Sequence, residues 1–215
     1  MTTAMEQLRE RMVDRQIRAR GIDDPRILAA FREVPRETFV PEELREPAYH
    51  DGALPIGAGQ TISQPYVVAA MIAAAAIRPG DSVLEVGAGS GYAAAVIARL
   101  ARRVHAIERH ETLARAAAER IAALGCSNCT VMAGDGMKGL PEHAPFDAIL
   151  VPASSDHVPE ALKRQLALGG RLVIPLGNDT MQELTCITRT GEDSWERRTS
   201  GPVRFVPLLP GIVSG

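Results

Sequence analysis

Between Asp81 and Leu176 short apolar runs alternate with stretches of helical length, and this alternation limits the chain to a small set of folds. The runs are SVLEV, RVHAI, TVMAG, FDAILV and RLVIPL, and the helical stretches are residues 91–100, 111–124 and 159–166. Strands that read as near-continuous apolar runs belong to a sheet covered on both faces, and strands separated by helices pair mostly in parallel. In such an open sheet a ligand sits beyond the carboxyl ends of the strands, where the strand order reverses. The first strand and the loop that follows it are therefore where chemistry is to be sought.

The flanking regions follow other rules. From Met5 to Arg20, Leu8, Met12, Val13 and Ile17 recur at three- and four-residue steps, which predicts a helix with one buried face, stopped by Gly21. Asp24-Pro25 offers an N-cap followed by proline at the first helical position, so residues 25–33 are expected to be a second helix, closed by Val34-Pro35. Residues 38–65 are rich in Pro and Gly with little periodicity, too long for a plain connector and so a candidate functional loop. Residues 66–77 read as an alanine-rich helix ended by Arg78-Pro79-Gly80. Beyond Leu176, residues 183–188, 195–199 and 203–208 are strand-like runs divided by turn residues, which predicts an antiparallel edge.

Composition excludes several functions. In 215 residues there are 24 basic and 26 acidic side chains, a net charge of −2, so no electrostatic footprint points to nucleic acid or an anionic membrane. No stretch approaches the roughly 20 apolar residues of a membrane-spanning helix, and no leader-like segment precedes the first helix. A soluble cytoplasmic protein is expected, with monomer as the default state. Cys126 and Cys129 form a C-x-x-C without a second pair or a histidine cluster, so no metal site is expected. His50, His105, His110, His143 and His157 are scattered and receive no role.

The strongest local signal is Glu85-Val86-Gly87-Ala88-Gly89-Ser90-Gly91, directly after an apolar strand and directly before a helix. Glycines there let the backbone approach a ligand and make the sharp turn, and the helix start offers free N–H groups. Dinucleotides and S-adenosylmethionine compete for such a loop. Glu85 suits the methionyl ammonium of S-adenosylmethionine and would repel a pyrophosphate, and the spacing G-x-G-x-G departs from G-x-G-x-x-G. Glu108 ends the next strand, where an acid can accept from ribose hydroxyls, and Asp135, between Gly134 and Gly136, can accept from an adenine amino group. Taken singly each acid reads equally well as a solvated strand end or a turn residue; in order on consecutive strands they favour S-adenosylmethionine.

Four stretches then carry a resemblance: VPRETFVP at residues 34–41, PIGAGQTISQP at 55–65, VLEVGAGSGY at 83–92 and GDG at 134–136, with PVRFVPL at 202–208 fitting as well. The chain resembles the protein-L-isoaspartate (D-aspartate) O-methyltransferase family over roughly residues 12–209. The glycine loop is shared by many methyltransferases, whereas GQTISQP is specific to this family. The resemblance implies an α/β, Rossmann-like class I methyltransferase fold, with a mostly parallel doubly wound sheet, a helical N-terminal extension and an antiparallel C-terminal edge. A single domain over 1–215 is expected, made of a helical cap and active-site loop (1–80), a cofactor-binding core (81–176) and C-terminal strands (177–215).

It further implies Ser63 as the catalytic residue and Thr61, Ile62, Gln64, Val203 and Phe205 as substrate-binding. Gln60, Glu85, Gly87, Ala88, Gly89, Ser90, Gly91, Glu108, Arg109, Asp135 and Gly136 are implied to hold S-adenosyl-L-methionine. The reaction implied is in-line transfer of the sulfonium methyl to the free carboxylate of an L-isoaspartyl residue of a damaged protein or peptide, with D-aspartyl residues as a further substrate class, so that repair proceeds through a succinimide. Without the resemblance, the Thr61 and Ser63 hydroxyls would be read as bonding local backbone. Two departures stand out: Pro152, which removes a backbone donor near the expected cofactor edge, and Leu209, where relatives often carry a polar residue. A methyltransferase acting on a dedicated peptide or a small molecule, and a binding module that keeps cofactor without catalysis, are the alternatives. Residues 203–208 are expected to offer a strand edge for β-addition of peptide.

Overall fold

The computed structural model describes residues 3–178 and 180–214. Among them seven strands form one sheet in the order β5-β4-β3-β6-β7-β8-β9, and a separate hairpin, β1-β2, stands apart. The strands are β3 (Ser82–Val86), β4 (Arg103–Glu108), β5 (Cys129–Ala133), β6 (Phe146–Leu150), β7 (Leu166–Gly177), β8 (Gln182–Arg189) and β9 (Trp195–Val203). From β5 to β7 neighbours pair in parallel, and β8 and β9 add in antiparallel fashion. The order turns back at β3, which has β4 on one side and β6 on the other, so the carboxyl end of β3 is the switch point.

Alternation along each strand explains the two-faced core. On β3, Val83 enters one buried cluster while Leu84 and Val86 enter the other; on β6, Ala148 and Leu150 face one side and Ile149 the opposite side. The first cluster is covered by α1 (Ala4–Met12), α2 (Pro25–Glu33), α3 (Pro65–Ala75), α4 (Tyr92–Ala98) and α5 (Glu111–Ala123); the second packs against α6 (Glu160–Arg164). Cys126 and Cys129 are buried free thiols in the first cluster. Asp24 caps α2 through its carboxylate, 2.8 Å from the Arg26 N–H, as the sequence predicts. The end of α3 is held from the sheet: Arg171 of β7 donates to the carbonyls of Ala75 and Ala76 and pairs with Asp81 at 2.9 Å.

Three elements differ from the sequence expectation. The helix predicted over residues 5–20 is α-helical only to Met12; residues Val13–Ile17 form a π turn and Arg18–Arg20 a 3-10 turn before Gly21 ends it at φ +89°. The widened turn keeps both Val13 and Ile17 buried and lets Gln16 Nε2 donate to the Tyr49 carbonyl at 2.8 Å. The loop over residues 38–65 contains the hairpin of β1 (Leu54–Gly57) and β2 (Gln60–Ile62), turned by Ala58 and Gly59 at φ +51° and +69°. Positive φ at both central residues is the geometry that matches strand twist in a two-residue connection. The strand expected over 203–208 is absent. Strand β9 ends at Val203, and within residues 204–208 only Pro207 forms a bridge, with Ser154.

Candidate active site

Two cavities meet at the switch point. The first encloses about 960 Å³ of space free of protein atoms, the solvent at its mouth included. It is lined by the glycine loop, the end of β4, the segment Gln60 to Ser63 and residues 206–209. The second is a groove lined by Ser63, Gln64, Val203, Arg204 and Phe205 among others. Thr61, Ser63, Pro152 and Val206 line both. A hydroxyl pair thus stands at the junction between the cleft and the groove. Among the described residues no histidine lines either cavity.

The glycine loop is built against β4. The N–H groups of Gly87 and Ala88 both donate to the Ile107 carbonyl, at 2.7 and 3.0 Å, and the Gly89 N–H donates to Glu108 Oε2 at 2.8 Å. These three amides are therefore committed within the protein and do not form a phosphate cradle. Gly91, at φ +90°, is the N-cap of α4, and a Cβ there would lie 3.1 Å from the Ala117 methyl, so helix α5 sets how close the loop can sit. Gly136 supports the cleft from the far side, since a Cβ would stand 2.5 Å from Val86 Cγ1.

The electrostatics point the same way. Glu85 is 1% exposed, and its Oε2 has no hydrogen-bond partner among the described residues. Burial first, and then the negative charge of Glu108, push its carboxyl up to about 8. A buried carboxyl with one oxygen unpartnered on a cleft wall is suited to a cationic ammonium, beside which its ionised form is favoured. Glu108 accepts from the backbone of Gly89 and His110, which fixes its carboxylate at the strand end while leaving lone pairs for further donors.

Most sequence-predicted site residues converge. Gln60, Glu85, Gly87, Ala88, Gly89, Ser90, Glu108, Arg109 and Gly136 line the cleft; Gly91 and Asp135 do not. Gly91 acts from behind as a packing position, and the Asp135 carboxylate accepts from the Met137 N–H at 3.0 Å. Thr61, Gln64, Val203 and Phe205 line the groove, whereas Ile62 is buried and faces the cleft. Both Pro152 and Leu209 sit on the cleft wall.

The edge expected over 203–208 is partly used within the protein. The Phe205 N–H donates to Gln182 Oε1 at 2.7 Å, the Ser154 N–H donates to Val206 O, and the Leu208 N–H donates to Ser154 O. Pro202 and Pro207 have no N–H to offer, and the Phe205 and Leu208 N–H groups are spent on the protein. Sequence reasoning missed Gln182, 7% exposed, whose amide also donates to Ser154 Oγ and Phe205 O and so holds the groove wall in place. It missed the tail too: Arg109 donates to Pro210 O and Val213 pairs beside His110, which closes the cleft with residues 207–213. No periodic pattern marks such contacts.

Comparisons with known proteins agree with this geometry. The model of the family described as protein-L-isoaspartate(D-aspartate) O-methyltransferase matches residues 6–212. A protein-L-isoaspartate O-methyltransferase of Methylorubrum populi is 60% identical over 204 residues, covering 95% of this chain and 96% of that protein. One from Rhodopseudomonas palustris is 55% identical over 208 residues, covering 96% and 85%. Among solved structures, a protein-L-isoaspartate O-methyltransferase superposes with a TM-score of 0.83 at 30% identity, covering 93% of this chain and 65% of that longer one. A Plasmodium falciparum structure described as a beta-aspartate methyltransferase in complex with S-adenosyl-L-homocysteine gives 0.81 at 27% identity, covering 94% and 98%.

Proposed function

This chain belongs to the protein-L-isoaspartate(D-aspartate) O-methyltransferase family, and from that membership we propose how its residues divide the work. The enzyme transfers a methyl group from S-adenosylmethionine to the free carboxylate of L-isoaspartyl residues in damaged proteins and peptides, the step that starts repair through a succinimide. The observation that carries the residue assignment is the placement of Thr61 and Ser63 on the wall common to cleft and groove.

When bound, S-adenosylmethionine supplies an activated sulfonium methyl. In the reading proposed here Glu85 faces its ammonium, Glu108 receives the ribose hydroxyls, Gly136 lets the chain approach the adenine and Asp135 reaches it from the rim. Gln60, Gly87, Ala88, Gly89, Ser90 and Arg109 complete the wall, and Gly91 sets the loop from behind. In the groove, Gln64, Val203 and Phe205 hold peptide, Ile62 anchors the segment in the core, and Ser63 with Thr61 orients the substrate carboxylate.

No residue has to remove a proton, because a carboxylate of pKa about 3.3 to 3.9 is already ionised near neutrality. The protein's part is alignment: holding nucleophile and methyl group in near-attack geometry is worth roughly 7–11 kcal/mol at best, against about 1 kcal/mol for a single hydroxyl contact. Ser63 is accordingly proposed to position the carboxylate without attacking anything.

The protein is further proposed to act as one unit over residues 1–215, with 1–80 as cap and active-site loop, 81–176 as cofactor core and 177–215 as the C-terminal strands. We also propose a cytoplasmic monomer that binds neither nucleic acid nor membrane. A net charge of −2 supports weak affinity for polyanions, and among the described residues no helix is long and apolar enough to cross a membrane. Light scattering on the purified protein tests the monomer, and a dimer mass would overturn it. The activity is tested with labelled S-adenosylmethionine and matched peptides bearing isoaspartyl or normal aspartyl at one site. Labelling of the isoaspartyl peptide alone is expected; equal labelling of both, or of neither, would defeat the assignment.

A further inference from the structure

Arg36 is the largest fully buried side chain of the protein, 0% exposed, and none of the assignments above uses it. Its Nε donates to the Ala48 carbonyl at 2.7 Å and its Nη2 to the Ser63 carbonyl at 2.8 Å, while Nη1 has no hydrogen-bond partner among the described residues. The guanidinium lies over the Tyr92 ring, 4.8 Å from its centroid. Tyr92 is the first residue of α4, directly after the glycine loop, and it lines the cofactor cleft. One cation therefore touches the backbone of the proposed active-site serine and the side chain that roots the cofactor loop.

Its partners are two neutral carbonyls and an aromatic face, an arrangement in which a buried charge is costly to keep. An apolar residue of similar volume would fill the space without that cost, so packing alone does not account for a guanidinium. Geometry supplies a reason. Ser63 lies between β2 and α3 and belongs to neither, so its orientation is not set by a ladder or a helix. The planar fork of Arg36 holds the Ser63 carbonyl and the Ala48 carbonyl at a fixed separation, which neither a methionine nor a lysine can reproduce. Behind it, Gln16 of the π turn donates to Tyr49 O and the Tyr49 hydroxyl bonds the Glu37 carboxylate. The N-terminal layer is thereby tied to the active-site segment through this side chain, as it also is through Asp51, which pairs with Arg20 and accepts from Gln64.

We propose that Arg36 is a positioning residue for methyl transfer: it fixes the Ser63 backbone relative to the cofactor loop, so that the substrate carboxylate meets the methyl donor in line. This rests on the reading of Ser63 given above. A misplacement of about 1 Å can cost on the order of 10²-fold in rate without altering the binding of either substrate, because only alignment is lost.

Full-length Arg36→Lys, Arg36→Met and Ser63→Ala are compared with the parent chain in three measurements: thermal unfolding, calorimetric binding of S-adenosylhomocysteine, and kcat for an isoaspartyl peptide at saturating cofactor. The expected result is a kcat lowered about 10-fold in Arg36→Met, the scale of the Ser63 contact that it positions, and by less in Arg36→Lys, with S-adenosylhomocysteine affinity unchanged in both. A parental kcat in Arg36→Lys overturns the proposal. So does a loss of S-adenosylhomocysteine affinity as large as the loss in kcat, which would mark a merely structural role. If Arg36→Met fails to fold, Arg36→Lys decides by the same two readouts. A fully active Ser63→Ala would remove the Ser63 reading and this inference with it, whereas an impaired Ser63→Ala beside an unimpaired Arg36→Lys removes this inference alone.

Discussion

The two walls of the site are built in opposite ways. The cofactor wall comes from consecutive strand ends, β3, β4 and β5, and its loop amides and acids bond one another within about 20 residues of sequence, as Gly89 does with Glu108. The substrate wall joins the hairpin before β3 to a segment after β9, and that segment is held by contacts as remote as Ser154 to Val206, 52 residues apart. Local construction gives a wall whose chemistry is set by the motif itself. Remote construction gives one whose position depends on the rest of the fold, and the two walls should respond differently to substitution.

The largest effect is expected on the cofactor wall. Glu108→Ala removes two charge-assisted bonds to backbone N–H groups, each worth roughly 1.5–3 kcal/mol, and is expected to weaken S-adenosylhomocysteine binding about 100-fold by calorimetry. If binding holds while only peptide turnover falls, the division between the walls is wrong. Next, Gln182→Ala leaves buried groups of Phe205 and Ser154 unpaired and should cost about 1–3 kcal/mol in chemical denaturation. Its kinetic mark is a raised KM for peptide with cofactor affinity kept, and an unchanged KM would detach Gln182 from the groove.

Smaller again is Ser63→Ala, for which loss of one hydroxyl contact predicts a fall of about 5- to 10-fold in activity with cofactor binding intact. A fully active variant would take Ser63 out of the mechanism. The finest test is a proton count. With its carboxyl pushed up to about 8, Glu85 is mostly protonated at pH 7, and a cationic ammonium placed beside it lowers that value. Binding should then release close to one proton at pH 7, read from calorimetry in buffers of different ionisation enthalpy, and affinity should rise with pH up to about 8. The sign for stability is opposite. A folded value above the unfolded 4.5 gives a contribution present below 4.5 and lost as pH rises towards 8. Glu85→Gln should abolish both trends, and a Glu85→Gln protein that still releases the proton would assign it elsewhere.

How far the sequence reached follows this same division. Strands β3 to β7 and the acids at their ends were legible because apolar runs, glycines and carboxylates sit at fixed short spacings. The Asp24 cap of α2 and the stop at Gly21, which ends the 3-10 turn after α1, were legible for the same reason. The β1-β2 hairpin was not, since Ala58 at positive φ is an atypical turn former and the strands are short. The segment after β9 looked like a strand from its residues, yet its N–H groups go to Gln182 and Ser154, partners that periodicity cannot reveal. Asp135 read as a cofactor ligand, and in the fold its carboxylate bonds the Met137 N–H beside the cleft.

By itself the sequence determined a mostly parallel sheet with a methyl-donor loop at the end of its first strand, and through one specific stretch it pointed to the substrate. Tertiary structure alone decided that three loop amides are committed internally, that Glu85 is buried with one carboxyl oxygen unpartnered, and that Ser63 stands where cleft and groove meet. The physical reason is range. Propensity, capping and strand-end chemistry act over a few residues and are written locally, whereas desolvation and the fixing of a backbone carbonyl by a buried guanidinium arise only when distant segments close upon one another.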